Sequence, residues 1–384
     1  MNLFTRRFFL LCSFTFVTFL SAFLLFPTMP LRILALGGTK TQAGLFLGFL
    51  TYSSAFSAPF CGALGDRLGR RLMLFAGTAV ILMLSAVYAF STSLWVILPA
   101  ALVHGFFWSG LLSSCSALVT EIIPPERRAE GFGYSGMMSI LGVAVAPALG
   151  IYLFHYGWIW VCIAIGALTL AGGAILLRIR EDRAGPRTLA GLFSQGIVER
   201  RVFVLALAMF LCSFGHGGVT SFVALYAQES GTRPTGIFFI VFALTIVVTR
   251  PFIGRLADRL GRTRVLVPCL ASSSLGLGLL AISGRLPVMI AAAMVLGIGF
   301  GSVYPVLAAH VMERVDSSRR GATFGSMLLA FDTGIGTGSI LLGICIDHYG
   351  YRVAFGLGAL VALTSIPYFL VVDRWQSARA ARPK

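Results

Sequence analysis

Twelve nearly uninterrupted apolar stretches alternate with polar segments along the 384-residue chain. They run near residues 8–34, 42–64, 72–90, 94–119, 131–153, 159–177, 202–227, 236–256, 265–283, 287–311, 322–346 and 353–372. Each approaches the roughly 20 residues that a helix needs to cross ~30 Å of hydrocarbon. Strand-like alternation is missing, so the pattern predicts an all-α membrane protein with twelve transmembrane helices.

The polar segments carry a repeat. Gly62-Ala63-Leu64-Gly65-Asp66-Arg67-Leu68-Gly69-Arg70-Arg71 returns as Gly254-Arg255-Leu256-Ala257-Asp258-Arg259-Leu260-Gly261-Arg262-Thr263, a shift of 192 residues. The same shift relates Glu121, Arg127 and Arg128 to Glu313, Arg319 and Arg320. After a one-residue slip, His155-Tyr156-Gly157 matches His348-Tyr349-Gly350. Two pseudo-symmetric six-helix bundles follow, over 1–177 and 202–384, the second with a short tail. The segment 178–201, with Gly185-Pro186 in its middle, reads as a cytoplasmic linker.

Composition sharpens this reading: 57% of residues are hydrophobic and 11% charged, against about 45–50% and 25% in soluble domains. The net charge of +16 is spread over alternate polar segments, with twenty-four of the thirty Lys and Arg residues on one set and five on the other. The positive-inside rule then places both termini in the cytoplasm, and the expected location is the inner (plasma) membrane. These arginines belong beside lipid head groups, so the lipid bilayer is the expected partner and nucleic acid is not. Arg6 and Arg7 precede an apolar run too long for a signal peptide and lacking an A-x-A site, so it is read as the first helix. Seven cysteines lie inside apolar stretches without C-x-x-C spacing, which implies neither disulfides nor metal. Gly131-Phe132-Gly133-Tyr134-Ser135-Gly136 matches a dinucleotide fingerprint but follows no strand. No P-loop or hydrolase motif occurs, so the expectation is a non-enzyme without a cofactor, driven by an ion gradient, the proton gradient first, or by the substrate's own gradient.

Two six-helix halves with Gly-x-x-x-Asp-Arg-x-Gly-Arg after the second and the eighth stretch resemble the major facilitator superfamily along essentially the whole chain. The resemblance implies a small-molecule substrate crossing between halves that rock about a central site; a monomer is the expected state. It also implies that Asp66 meets the N-terminal end of helix 11 when the cytoplasmic side closes. On this reading Gly62, Asp66, Arg67, Gly69, Arg70, Arg71 and Glu121, with Gly254, Asp258, Arg259, Gly261, Arg262 and Glu313, form a conformational latch. The glycines allow close helix approach and a tight turn, and Arg70, Arg71 and Arg262 pair with Glu121 and Glu313. Lipid anchoring alone is the competing reading. The family's exporters often carry an arginine where Ala101 stands here, and their helix 5 pattern is degenerate here as Gly142-x-x-x-Ala146-Pro147-x-x-Gly150. The first helix has no acidic residue.

Ionisable groups inside a bilayer are costly and need a reason. Asp332, in the middle of the eleventh stretch, is suited to take up and release a proton as its surroundings alternate; a permanent ion pair or interhelical hydrogen bond is the other reading. Arg250 stands where the first half has Ala58, and either pairs with Asp332, holds an anionic substrate or reaches the inner surface. His216, in Gly215-His216-Gly217-Gly218, either binds or couples in a helix weakened by glycine, or bonds between helices. Phe19, Phe23, His104, Trp108 and Tyr304 are further cavity-lining candidates, because the resemblance puts their helices around the cavity. Few fixed polar groups accompany them, which favours an amphipathic or hydrophobic substrate over a sugar. The expected function is proton-coupled export of such a compound. A symporter or facilitator for a small organic anion, anchored by Arg250 and Arg32, is the alternative, and a non-transporting sensor or scaffold a remote one.

Overall fold

A computed structural model of the chain describes residues 3–124, 127–179, 200–312, 315 and 320–380. Among them there is no strand. The helices are α1 (Arg6–Ala35), α2 (Lys40–Leu68), α3 (Arg70–Phe90), α4 (Leu94–Ile122), α5 (Arg128–His155), α6 (Trp158–Leu177), α7 (Arg200–Glu229), α8 (Ile237–Leu260), α9 (Arg262–Ile282), α10 (Leu286–Met312) and α11 (Arg320–Ala380). These eleven are each long and apolar enough to cross a membrane. Continuous α11, at 61 residues, would rise about 90 Å, three times a bilayer's hydrocarbon. Gly350, at φ 80° and ψ 172°, breaks it into arms over 320–349 and 351–380, so the two last predicted stretches meet at one glycine. The linker 178–201 lies almost wholly outside the described residues.

The chain divides into two compact units, Met1–Gly38 with Tyr52–Gln195, and Thr39–Thr51 with Gly196–Lys384. Helix α2 therefore gives its first turns to the second unit and the remainder to the first. In the first unit α1 lies against α5 and α6, and α3 against α4 and α6. Leu11, Phe14, Leu74, Trp108, Leu111 and Leu118 form its buried apolar centre. The degenerate helix 5 pattern has a packing cause. A Cβ on Gly142 would stand 2.9 Å from the Phe16 carbonyl oxygen, and one on Gly150 2.7 Å from that of Leu24, so α1 and α5 touch backbone to backbone.

In the second unit α7 packs on α11 in the same way. Cβ atoms on Gly217 and Gly338 would collide with the carbonyl oxygens of Ile335 and Phe214, and one on Gly334 would stand 2.6 Å from that of Phe210. This corrects the expectation of a weakened helix around His216: α7 is continuous from Arg200 to Glu229. Its glycines are contact points with no Cβ in the way, and close packing keeps their backbone hydrogen bonds intact.

Candidate functional site

The duplicated segment is helical almost throughout, and each copy turns at one residue. Gly69 (φ 98°) separates α2 from α3, and Gly261 (φ 91°) separates α8 from α9, a region that strongly favours glycine. Gly62 and Gly254 differ from expectation: a Cβ on either meets nothing within 4 Å, so neither marks a close helix contact. In the first copy Arg70 bridges Asp66, at 3.2 Å, and Glu121. Its side chain is only 11% exposed, so the predicted Arg70–Glu121 pair is a shielded one. Arg71 turns elsewhere, donating to the Leu177 carbonyl at 3.3 Å with its guanidinium 5.4 Å from the Phe75 ring centre. In the second copy Arg262 donates to the Ala309 carbonyl. Arg67, Asp258 and Arg259 are exposed, and Glu313 lies outside the described residues.

The first unit's candidates form a small aromatic group. Phe19 stacks on Phe23 at 6.1 Å and meets Trp108 edge-on at 5.3 Å. His104, on the same helix as Trp108, is 2% exposed and its Nδ1 lies 3.5 Å from the Tyr88 hydroxyl on α3.

The second unit holds a longer aromatic array. His216 on α7 stacks on Phe300 of α10 at 3.6 Å and on Phe242 of α8 at 5.7 Å. Phe300 continues to Phe331 at 5.9 Å, and Phe331 to Tyr304 at 5.5 Å. Asp332 follows Phe331 on half-buried α11, and its carboxylate acts electrostatically on Tyr304. The structure thus joins His216, Tyr304 and Asp332 along one aromatic path. Arg250 stays apart: among the described residues no carboxylate pairs with it, and it lines a cavity with Asp258, Arg262 and Ser302.

Two charged clusters in the second unit carry no signal in the reading of single stretches. Asp347, past the end of the eleventh stretch, accepts hydrogen bonds from the Lys40 amide (3.1 Å), the Thr41 amide (2.8 Å) and the Thr41 hydroxyl (2.7 Å). It caps the positive N-terminal end of α2. Lys40 also pairs with Glu229 at 3.1 Å, and Tyr351 donates to Glu229 at 2.7 Å. Desolvation pushes the Asp347 carboxyl up, but the bonds from Thr41 and Lys40 and the Lys40 charge outweigh it and hold it below the ordinary carboxylate value. Beside it α2 lies close on α11, where the Ser339 hydroxyl donates to the Gly44 carbonyl at 3.1 Å. The repeat contained the clue, since Asp347 stands where the first half has Phe154. The second cluster is buried: His310 Nε2 meets Asp373 at 2.8 Å, and the Thr263 hydroxyl donates to the same carboxylate at 3.3 Å.

Known proteins share this architecture. The chain matches a solved peptide transporter with a TM-score of 0.79 at 14% identity, covering 98% of this chain and 96% of that one. It matches the nucleoside transporter NupG with a TM-score of 0.75 at 12% identity, over 96% and 100%. Among relatives by sequence, a multi-drug resistance efflux pump PmrA homolog of Lactococcus lactis subsp. lactis (strain IL1403) is 22% identical, over 91% of this chain and 92% of the relative. The multidrug resistance protein MdtG of Klebsiella pneumoniae (strain 342) is 25% identical, over 96% and 93%. The model of the Major Facilitator Superfamily matches residues 11–236 and 205–384, and with its two motif-bearing helical units the chain is a multi-pass membrane protein of that superfamily.

Proposed function

We propose that this protein is a secondary active transporter that exports a small amphipathic or hydrophobic compound in exchange for protons, by rocker-switch alternating access. The observation that carries this reading is the aromatic path His216–Phe300–Phe331–Tyr304 ending beside Asp332. Aromatic faces bind apolar and amphipathic molecules with few directional demands. A carboxylate within a span gains and loses a proton as water reaches it or withdraws. The names of the relatives, one a multi-drug resistance efflux pump and the other a multidrug resistance protein, support the same substrate class. The chain works as a monomer in the inner membrane, with both termini in the cytoplasm, and uses the proton gradient without a cofactor.

Two latches serve the two ends. At the cytoplasmic end Arg70, Asp66 and Glu121 set the charge state of the duplicated motif. At the outer end Asp347 holds the first turns of α2, which belong to the first sequence repeat, on α11. The test is the pH profile of substrate uptake into everted membrane vesicles by Asp332→Asn. Loss of the pH dependence with protein still in the membrane supports the reading; an unaltered profile removes Asp332 as the coupling site.

A further inference from the structure

The cavity around Arg250 measures about 240 Å³ and is built entirely within the second unit. One stripe of α8 (Arg250, Gly254, Asp258) faces one stripe of α10 (Ser302, Pro305, Ala309), with Arg262 of α9 at the end. Above the cavity the two helices touch closely, since a Cβ on Gly297 would stand 2.9 Å from the Phe242 carbonyl oxygen and one on Gly301 2.5 Å from Ile246. Below Gly301 they part. Arg250 and Ser302 therefore lie at one level, and Asp258, Ala309 and Arg262 at the other.

The fold does not demand this space. At the matching level the first half has Ala58 for Arg250 and Gly110 for Ser302. There the Met73 terminal methyl lies 3.2 Å, and the Cys61 sulfur 3.8 Å, from where a Cβ on Gly110 would be. One half has filled the site with apolar atoms; the other has opened it and lined it with a cation and a hydroxyl.

That lining is unsatisfied. Ser302 is 2% exposed and its hydroxyl has no hydrogen-bond partner, while Arg250 meets no counter-ion among the described residues. Summed over Arg250, Arg262 and Asp258, the lining carries one net positive charge. A cation is repelled, and a neutral ligand leaves the guanidinium uncompensated in a poorly solvated place. We propose that this cavity binds an oxyanion, the phosphate or carboxylate group of a small molecule or of an acidic lipid head group, held by the fork of Arg250 and the hydroxyl of Ser302. A cavity of this volume suits a group of head-group size. None of His216, Phe300, Phe331, Tyr304 and Asp332 lines it, so the site is distinct from the aromatic path proposed above, and its occupancy is read without measuring transport.

The test uses the purified full-length protein in uncharged detergent at fixed ionic strength. Its thermal unfolding is followed while inorganic phosphate, short-chain phosphatidylglycerol or short-chain phosphatidylcholine is titrated. Wild type should show a saturable rise in melting temperature with phosphate, with phosphatidylglycerol or with both, and none with phosphatidylcholine. A rise with phosphate assigns a soluble anion as the source, and one with phosphatidylglycerol alone assigns the membrane. Arg250→Ala reproduces the first half's residue and should weaken the probe by at least about tenfold, as expected for a lost charge-assisted pair. Ala309→Phe keeps Arg250 but fills the cavity, and should abolish the response even if Arg250→Ala does not fold. No saturable rise with either anionic probe, or a rise undiminished in these variants, overturns the proposal.

Discussion

Replacing Asp347 by alanine should loosen the first turns of α2 without unfolding the protein. The carboxylate accepts two backbone amides and one hydroxyl, all at 3.1 Å or less. Losing a helix-capping side chain costs about 0.5–2 kcal/mol, and losing a charge at a helix N-terminus about 0.3–1 kcal/mol more. Asp347 is exposed, which places the sum near the lower half, at about 1–2 kcal/mol. That corresponds to a rise of about 5- to 30-fold in local opening. Hydrogen exchange resolved on peptides spanning 39–51 reads it directly, because the Lys40 and Thr41 amides are themselves the donors. Peptides from α3 serve as the unaffected control. Asp347→Asn retains an acceptor and should show a smaller rise. Since the folded-state pKa is depressed, the stabilisation is fully present above the ordinary carboxylate value and is lost as pH falls below it. Protection, corrected for intrinsic exchange, should thus be level from about pH 8 to 5. Less than about a twofold change in Asp347→Ala, or protection that fades between those pH values, would refute the capping argument.

Arg70→Gln should lower the unfolding free energy by about 1–3 kcal/mol, because Asp66 and Glu121 lose the shielded cation between them, whereas Arg71→Gln should cost much less. Asp373→Asn should destabilise the second unit by a similar ~1–3 kcal/mol, since His310 and Thr263 share that carboxylate; chemical denaturation of the purified protein checks both. Gly338→Val and Gly217→Val should abolish folded protein on size-exclusion chromatography, because each new side chain enters a backbone carbonyl of the partner helix. Gly62→Ala and Gly254→Ala have open space and should retain the wild-type melting temperature, so any fall in their transport reports the latch and not the fold.

Helix positions were readable because apolar runs longer than the bilayer admit few alternatives. The turn at Gly69 was readable from its own motif, and the Arg70–Glu121 pair because α3 begins at the level where α4 ends, which brings the two charges to one end of the helices. His216 illustrates the limit. Three glycines around it suit a broken helix and a close helix contact equally well in one dimension. Only Gly334 and Gly338 on α11, facing the same turns, decide for contact. Arg250 and Asp332 share a half and a membrane setting, yet pairing depends on which face of each helix they occupy, and α8 turns Arg250 toward α10. Asp347 was hidden because it caps a helix start some 300 residues earlier, although the repeat marked it as the acidic residue opposite Phe154.

The central claim is that a proton gradient drives export. Purified protein reconstituted in liposomes, with a fluorescent amphiphilic dye present at equal concentration on both sides and a pH gradient imposed, tests it most directly. The account predicts dye accumulation against its own gradient, collapse on adding a protonophore, and no accumulation in Asp332→Asn. Dye movement that only follows the dye's own gradient and ignores the imposed pH difference would contradict it.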